Sequence, residues 1–122
     1  MLTSCDIIIV EPVVDDRDRV TGSYQIEEHS HTYNDYVQFY IYIRKSGGSD
    51  GVIIENFYNA DVNVRANVVY DKIYIARQIV DGYEIEGVGT IYKDEIQFSY
   101  KVRDTFSTHE PTDFCNATAW FY

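Results

Sequence analysis

Leucine is nearly missing from this chain: Leu2 is the only one in 122 residues, and there is a single Met. Helix formers in general are scarce, so amphipathic helices have little to be built from. Cysteine is limited to Cys5 and Cys115. A disulfide between them is allowed by count but by no spacing logic, and no Cys-x-x-Cys pair exists. Proline is limited to Pro12 and Pro111. Pro12 cannot donate to a ladder, which restricts its segment to a sheet edge. No apolar run approaches the roughly 18 residues of a membrane-spanning helix; the longest is Ile7-Ile8-Ile9-Val10. Basic residues are few. Lys plus Arg total 10 against 20 Asp plus Glu, a net charge of −10. Such a surface repels phosphate backbones, which argues against nucleic-acid binding. It favours solubility and leaves cations or a basic partner as electrostatic complements. Phosphate loops, Gly-x-Ser-x-Gly elbows and His-Glu-x-x-His helices are all missing. No catalytic residue and no cofactor is expected.

What the chain does have is Ile, Val and aromatics, with 12 Tyr, 6 Phe and 1 Trp. These residues suit a pleated, half-buried surface. From Val20 onward they alternate with polar residues at period two, the mark of strands with one buried face. Tyr24 and Ile26 begin the series. Val37, Phe39, Ile41 and Ile43 continue it, followed by 52–58, Val62 to Val68, Ile73 to Gln78, Tyr83 to Ile91, Ile96 to Val102, and Phe114 to Phe121. Turn signals separate them: Gly47-Gly48-Ser49-Asp50-Gly51, Asn59-Ala60-Asp61, Tyr70-Asp71, Asp81-Gly82 and Lys93-Asp94. Short joints make successive strands antiparallel neighbours. About eight strands in a meander predict a lipocalin-like barrel or half-barrel, with a two-sheet β-sandwich as the alternative. Gly87 and Gly89, two apart on one face, predict tight coiling of that strand, or else a groove floor open to a ligand.

Residues 1–19 read as a leader or linker. Ile7 to Val10 is a candidate edge strand there, and Asp15-Asp16-Arg17-Asp18-Arg19 a charged loop. The domain proper is 20–122. Leu2-Thr3-Ser4-Cys5 resembles a bacterial lipobox, in which two small residues after an aliphatic one precede a lipid-modified Cys, although no basic or apolar signal region precedes it. Thr21-Gly22-Ser23-Tyr24 resembles the Gly-x-aromatic opening of lipocalin-like domains, with Tyr24 in the place of the usual Trp. Together with Lys45-Ser46, Asn56-Phe57-Tyr58-Asn59, Gly87-Val88-Gly89-Thr90-Ile91, Phe98-Ser99-Tyr100 and Cys115-Asn116-Ala117-Thr118, the pattern from Val20 to Tyr122 resembles small lipoproteins and secreted β-domains of Gram-negative bacteria. That resemblance implies the bacterial cell envelope (periplasm or outer-membrane-anchored) and a barrel-like fold. Cys5 would then be the attachment point, the one contact with a membrane.

The candidate sites are few. His29 and His31, at i and i+2 beside Glu27 and Glu28, share a strand face and could begin a zinc site. Equally, they are two exposed histidines where a strand ends. Glu84 and Glu86 could act as paired carboxylates, or form cross-strand ion pairs with Lys101 and Arg103. Asp15, Asp16 and Asp18 could hold calcium but lack the Gly and distal Glu of an EF-hand loop. Tyr36, Tyr40 and Tyr42 form a stripe, with Tyr58, Tyr70 and Tyr74 as extensions. Such a stripe suits a glycan, peptide or protein if exposed, and is ordinary packing if buried. The expected function is non-catalytic: an acidic envelope protein binding a small apolar ligand or a partner protein through its interior or its tyrosine face. The alternatives are a structural or accessory lipoprotein without ligand, and a metal-dependent enzyme using His29 and His31.

Overall fold

A residue that alternates in and out at every step can satisfy its backbone only by pairing with neighbouring strands. A meander that runs out of neighbours is left with two open edges unless it closes on itself. The computed structural model, which describes residues 14–122, shows that closure. Eight strands follow in order: β1 Gly22–Ser30, β2 Asp35–Lys45, β3 Gly51–Phe57, β4 Val62–Val69, β5 Lys72–Val80, β6 Tyr83–Ile91, β7 Glu95–Asp104 and β8 Asp113–Phe121. Each is antiparallel to the next, and β8 returns to β1 to close the barrel. The closing ladder runs from Tyr24 opposite Phe121 to Ser30 opposite Cys115. The expected meander is thus complete, neither a half-barrel nor a two-sheet sandwich.

The lining is the apolar half of each alternation. Ile43, Val52, Ile54, Val64, Ile73, Ile85 and Ala119 are fully buried. Each Ile or Val withdrawn from water contributes roughly 1.5–3 kcal/mol. A solvent-sized sphere touches almost none of these side chains, so this part of the interior is filled.

One end of the barrel is closed by part of the segment expected to be a linker. Asp16–Arg19 forms a single 3-10 turn with Arg17 buried. The Arg17 guanidinium donates to the carbonyls of Ser46 and Gly51, each at 3.1 Å, and to Asp15 at 2.9 Å. Lys45 Nζ adds ion pairs to Asp15 and Asp18. These partners, Arg17 first, hold the Asp15 carboxyl well below the usual carboxylate range. Asp15 and Asp18 therefore pair with cations, Asp15 also caps the turn, and Asp16 accepts from Tyr70 N at 3.0 Å. Tyr24 lies beneath this turn, its hydroxyl donating to Val20 O at 2.9 Å. Cys5 with its lipobox-like neighbours, and the candidate edge strand Ile7 to Val10, lie outside the described residues.

Two ladders stop short at the opposite end. β2 pairs with β3 only from Tyr42 to Lys45, and β4 pairs with β5 only from Asn67 to Val69. Side-chain amides bridge the gaps. Asn56 Nδ2 donates to Tyr40 O at 2.8 Å. Gln78 accepts from Arg65 N at 3.0 Å and donates to Arg65 O at 2.8 Å. The hairpin between β3 and β4 therefore stands between two open seams.

Gly87 and Gly89 allow the tight curvature. A Cβ on Gly87 would lie 2.5 Å from Ser99 O and from Tyr100 Cβ; one on Gly89 would meet the Phe98 ring at 2.8 Å. Neighbouring groups of β7 occupy both Cβ positions, so the pair marks a close approach of β7 to β6, buried at Gly89 and partly open to the outer wall at Gly87. Gly87→Ala is expected to cost about 1–3 kcal/mol in a urea titration, the usual penalty of overpacking. Gly47→Ala, where an added Cβ meets nothing within 4 Å, is expected to stay within about 0.5 kcal/mol of wild type. Equal midpoints for the two would contradict the close approach.

Candidate functional site

Toward the open end the lining changes chemistry without changing phase. On β1 the inward series Tyr24, Ile26 continues as Glu28 and Ser30; on β8 the inward series begins with Asp113 and Cys115 before Ala117 and Ala119. The alternation that buries apolar residues below thus carries two carboxylates inside above, and both Glu28 and Asp113 are only 5% exposed. Burying a carboxylate costs free energy unless hydrogen bonds replace its water, and here they do. Asp113 Oδ1 accepts from the Ser30 hydroxyl and Oδ2 from the Tyr58 hydroxyl at 2.5 Å. Glu28 Oε2 accepts from the Tyr100 hydroxyl. Ser30 Oγ in turn accepts from Tyr33 N at 3.0 Å.

Tyr58 reaches this cluster through an unusual turn. Asn56, Tyr58, Asn59 and Asp61 all have positive φ, between 54° and 61°. Asn and Asp tolerate that region, whereas a bulky residue pays on the order of 1–2 kcal/mol. The hydrogen bond to Asp113 and an edge-on contact with Tyr83, centroids 6.0 Å apart, hold Tyr58 there. Beside it Phe57 packs on Tyr100 at 4.7 Å.

A cavity of about 210 Å³ opens at this mouth, walled by Glu28, Ser30, Tyr33, Asp35, Val37, Tyr58, Asn59 and Asp113. Three carboxylates and two phenols face it, and no Lys or Arg does. Burial, reinforced by the Asp113 charge and opposed by the Tyr100 hydrogen bond, pushes Glu28 up to about 7. Burial likewise raises the Tyr58 and Tyr100 phenols, and the carboxylates add to it. Cys115 is pushed up by burial and by Glu28 and Asp113, which keeps it a thiol. Low-pKa nucleophiles are what such surroundings disfavour.

The residues singled out in the sequence are scattered. Tyr36, Tyr40 and Tyr42 point outward from β2 and are 44–64% exposed; Tyr58 is separated from them, inside the mouth. Tyr74 and Tyr70 belong to β5 and the turn before it. His29 and His31 are brought together on the outer wall, ring centroids 4.4 Å apart. His29 stacks on Tyr36 at 4.3 Å, nearly parallel, and His31 Nε2 lies 2.5 Å from Asn116 Oδ1. Among the described residues, no group of three or more His, Cys, Asp or Glu is placed to hold a metal ion. Glu84 and Glu86 form cross-strand ion pairs, with Arg103 at 3.1 Å and Lys101 at 2.9 Å. A larger hollow of about 380 Å³ lies over Gly87 on the outer wall, bordered by that Glu86–Lys101 pair and Phe114. It is shallow, and the buried carboxylates do not face it.

Sequence reasoning missed Glu28 as a lining residue and missed Asp113 altogether. The signal was present: each is in phase with the apolar positions of its own strand. No protein-family model and no curated protein matches the chain.

Glu28 is raised in the folded state from 4.5 to about 7. Its protonated form therefore stabilises the fold, fully below the unfolded value and progressively less as pH rises through the folded one. Glu28→Gln keeps an acceptor for Tyr100 and removes the titration. From pH 4 to pH 8, the stability of this variant relative to wild type is expected to rise by about 2–3 kcal/mol in urea melts. A pH-independent difference would show that Glu28 does not titrate in this range.

Proposed function

We propose that the protein is a non-catalytic binding module that takes a small organic cation in the mouth of its barrel. The observation that carries this reading is the cavity wall: Glu28, Asp35 and Asp113 with Tyr33 and Tyr58, and no cationic side chain. Carboxylates supply charge-assisted hydrogen bonds to an ammonium group, and phenol rings supply cation–π faces. The net charge of −10 attracts such a ligand from a distance. The filled lower interior leaves an apolar guest little room, which moves the ligand from apolar to polar and from the core to the mouth. The buried thiol and phenols are held protonated, which disfavours them as nucleophiles. The lipobox-like Leu2-Thr3-Ser4-Cys5 supports an envelope setting, with Cys5 as the lipid attachment site.

The reading is checked by calorimetric and NMR titration with tetramethylammonium and 1,4-diaminobutane, using tert-butanol as the neutral counterpart of the first. The ammonium compounds are expected to shift the Tyr33 and Tyr58 ring signals, and tert-butanol is not. Asp113→Asn should weaken binding about 10- to 100-fold, the loss of one charge-assisted contact. Equal responses to the charged and neutral probes would overturn the reading.

A further inference from the structure

The outer wall over β2, β1 and β8 carries a second surface that the mouth does not use. Three cross-strand rows define it. Tyr42 stands opposite Ser23, and Tyr122 N donates to Ser23 O at 2.8 Å. Gln25 stands between Tyr40 on one side and Trp120 on the other. Nearer the mouth, Glu27 stands between Gln38 and Thr118. The four rings of the first two rows are 41–75% exposed, and Tyr40 meets Tyr122 edge-on at 5.1 Å. Small polar side chains, Ser23 and Gln25, form the floor between them.

Cross-strand ring contacts give the sheet only about 0.2–1 kcal/mol each, and a cluster of exposed rings on one wall is the kind of patch that interaction sites use. Its chemistry narrows the occupant. Ser23, Gln25, Tyr40, Tyr42, Trp120 and Tyr122 carry uncharged side chains, and the charged groups at the border are Glu27 in the third row, Glu95 opposite Trp120, and Glu55 opposite Tyr42, the last paired with Arg44. Without Lys or Arg among these six, the patch does not attract phosphate backbones or anionic lipid headgroups. It offers flat electron-rich ring faces and, at their edges, phenol, indole and amide hydrogen-bonding groups. Those are the complements of a neutral sugar, whose C–H faces stack on the rings while its hydroxyls reach the edges. Two strand spacings place Tyr40 and Trp120 roughly 10 Å apart, a distance that two linked hexose rings cover.

We propose that this wall binds a neutral polysaccharide, through Tyr40, Tyr42, Trp120 and Tyr122. The site is independent of the cation site at the mouth. Trp120 is the only tryptophan, so its fluorescence reports on the patch directly. The experiment is native gel electrophoresis of the full chain through gels containing hydroxyethylcellulose, xyloglucan or soluble starch, paired with Trp120 emission during titration with cellohexaose, xyloglucan heptasaccharide or maltohexaose. Retardation in at least one of these gels, with a blue shift on the matching oligosaccharide, is the expected result. Tyr40→Ala and Trp120→Ala should each weaken retardation at least fivefold. Tyr74→Ala, an exposed tyrosine on β5, should leave it unchanged. Should Tyr40→Ala fold poorly, Tyr40→Gln replaces it with the same expectation. No retardation in any of the three gels overturns the proposal. So does retardation that survives both Tyr40 and Trp120 substitutions, and so does co-sedimentation with phosphatidylcholine vesicles in place of polysaccharide binding.

Discussion

The ladder between β1 and β8 is the constraint on which the rest of the molecule depends. Without it the meander would present two long edges of unpaired backbone groups, each a template for another chain. With it, every inward position faces the others across a space narrow enough for side chains to fill. The same ladder builds the mouth. Ser30 stands opposite Cys115, and just beyond, His31 N donates to Phe114 O at 2.7 Å. That register brings the Ser30 hydroxyl to Asp113. The cluster of Glu28, Ser30 and Asp113 is thus a property of closure, since Ser30 and Asp113 are 83 positions apart in sequence.

Closure also creates an electrostatic tension. Two carboxylates within a low-dielectric wall repel one another and lose hydration. Three hydroxyl donors, from Ser30, Tyr58 and Tyr100, offset part of that cost. No basic side chain among those facing the cavity neutralises the rest. The closed end shows the opposite solution. There a buried guanidinium is paired with Asp15 and with main-chain carbonyls, so charge is cancelled within the fold. One end of the barrel is electrostatically finished and the other is left with an excess of acceptors.

Much of the architecture was legible in the sequence because period two is a local signal. The inward series Phe39, Ile41, Ile43 and Val62, Val64, Ala66, Val68 can be read off directly, and the structure buries all of them. The turns at Tyr70-Asp71 and Asp81-Gly82 fall where the turn residues place them. The sequence pointed to a barrel or half-barrel, and only the choice between them was not legible, because nothing local in β1 or β8 states that they pair. The site was half legible. Glu28 and Asp113 sit in phase with apolar neighbours, yet a carboxylate attracts attention as a surface residue or a metal ligand. Tyr58 was grouped with the outer tyrosines because the irregularity after Ile54 and the left-handed turn behind it redirect its side chain. Arg17 was assigned to a charged loop, since only the finished barrel supplies the Ser46 and Gly51 carbonyls that bury it.

The two truncated ladders flanking β3 and β4 give the mouth a mechanical asymmetry. Most of the rim is locked by continuous main-chain pairing. The sector from Asn56 to Val62 is tied to its neighbours by two side-chain amides and a phenol. Displacing it breaks no ladder to β2 or β5 at this end, and releases backbone held in a disfavoured conformation at Tyr58. The bore of the opening is therefore elastic on one side only. For the cation proposed above, the stiffness of this single turn would set the upper size limit.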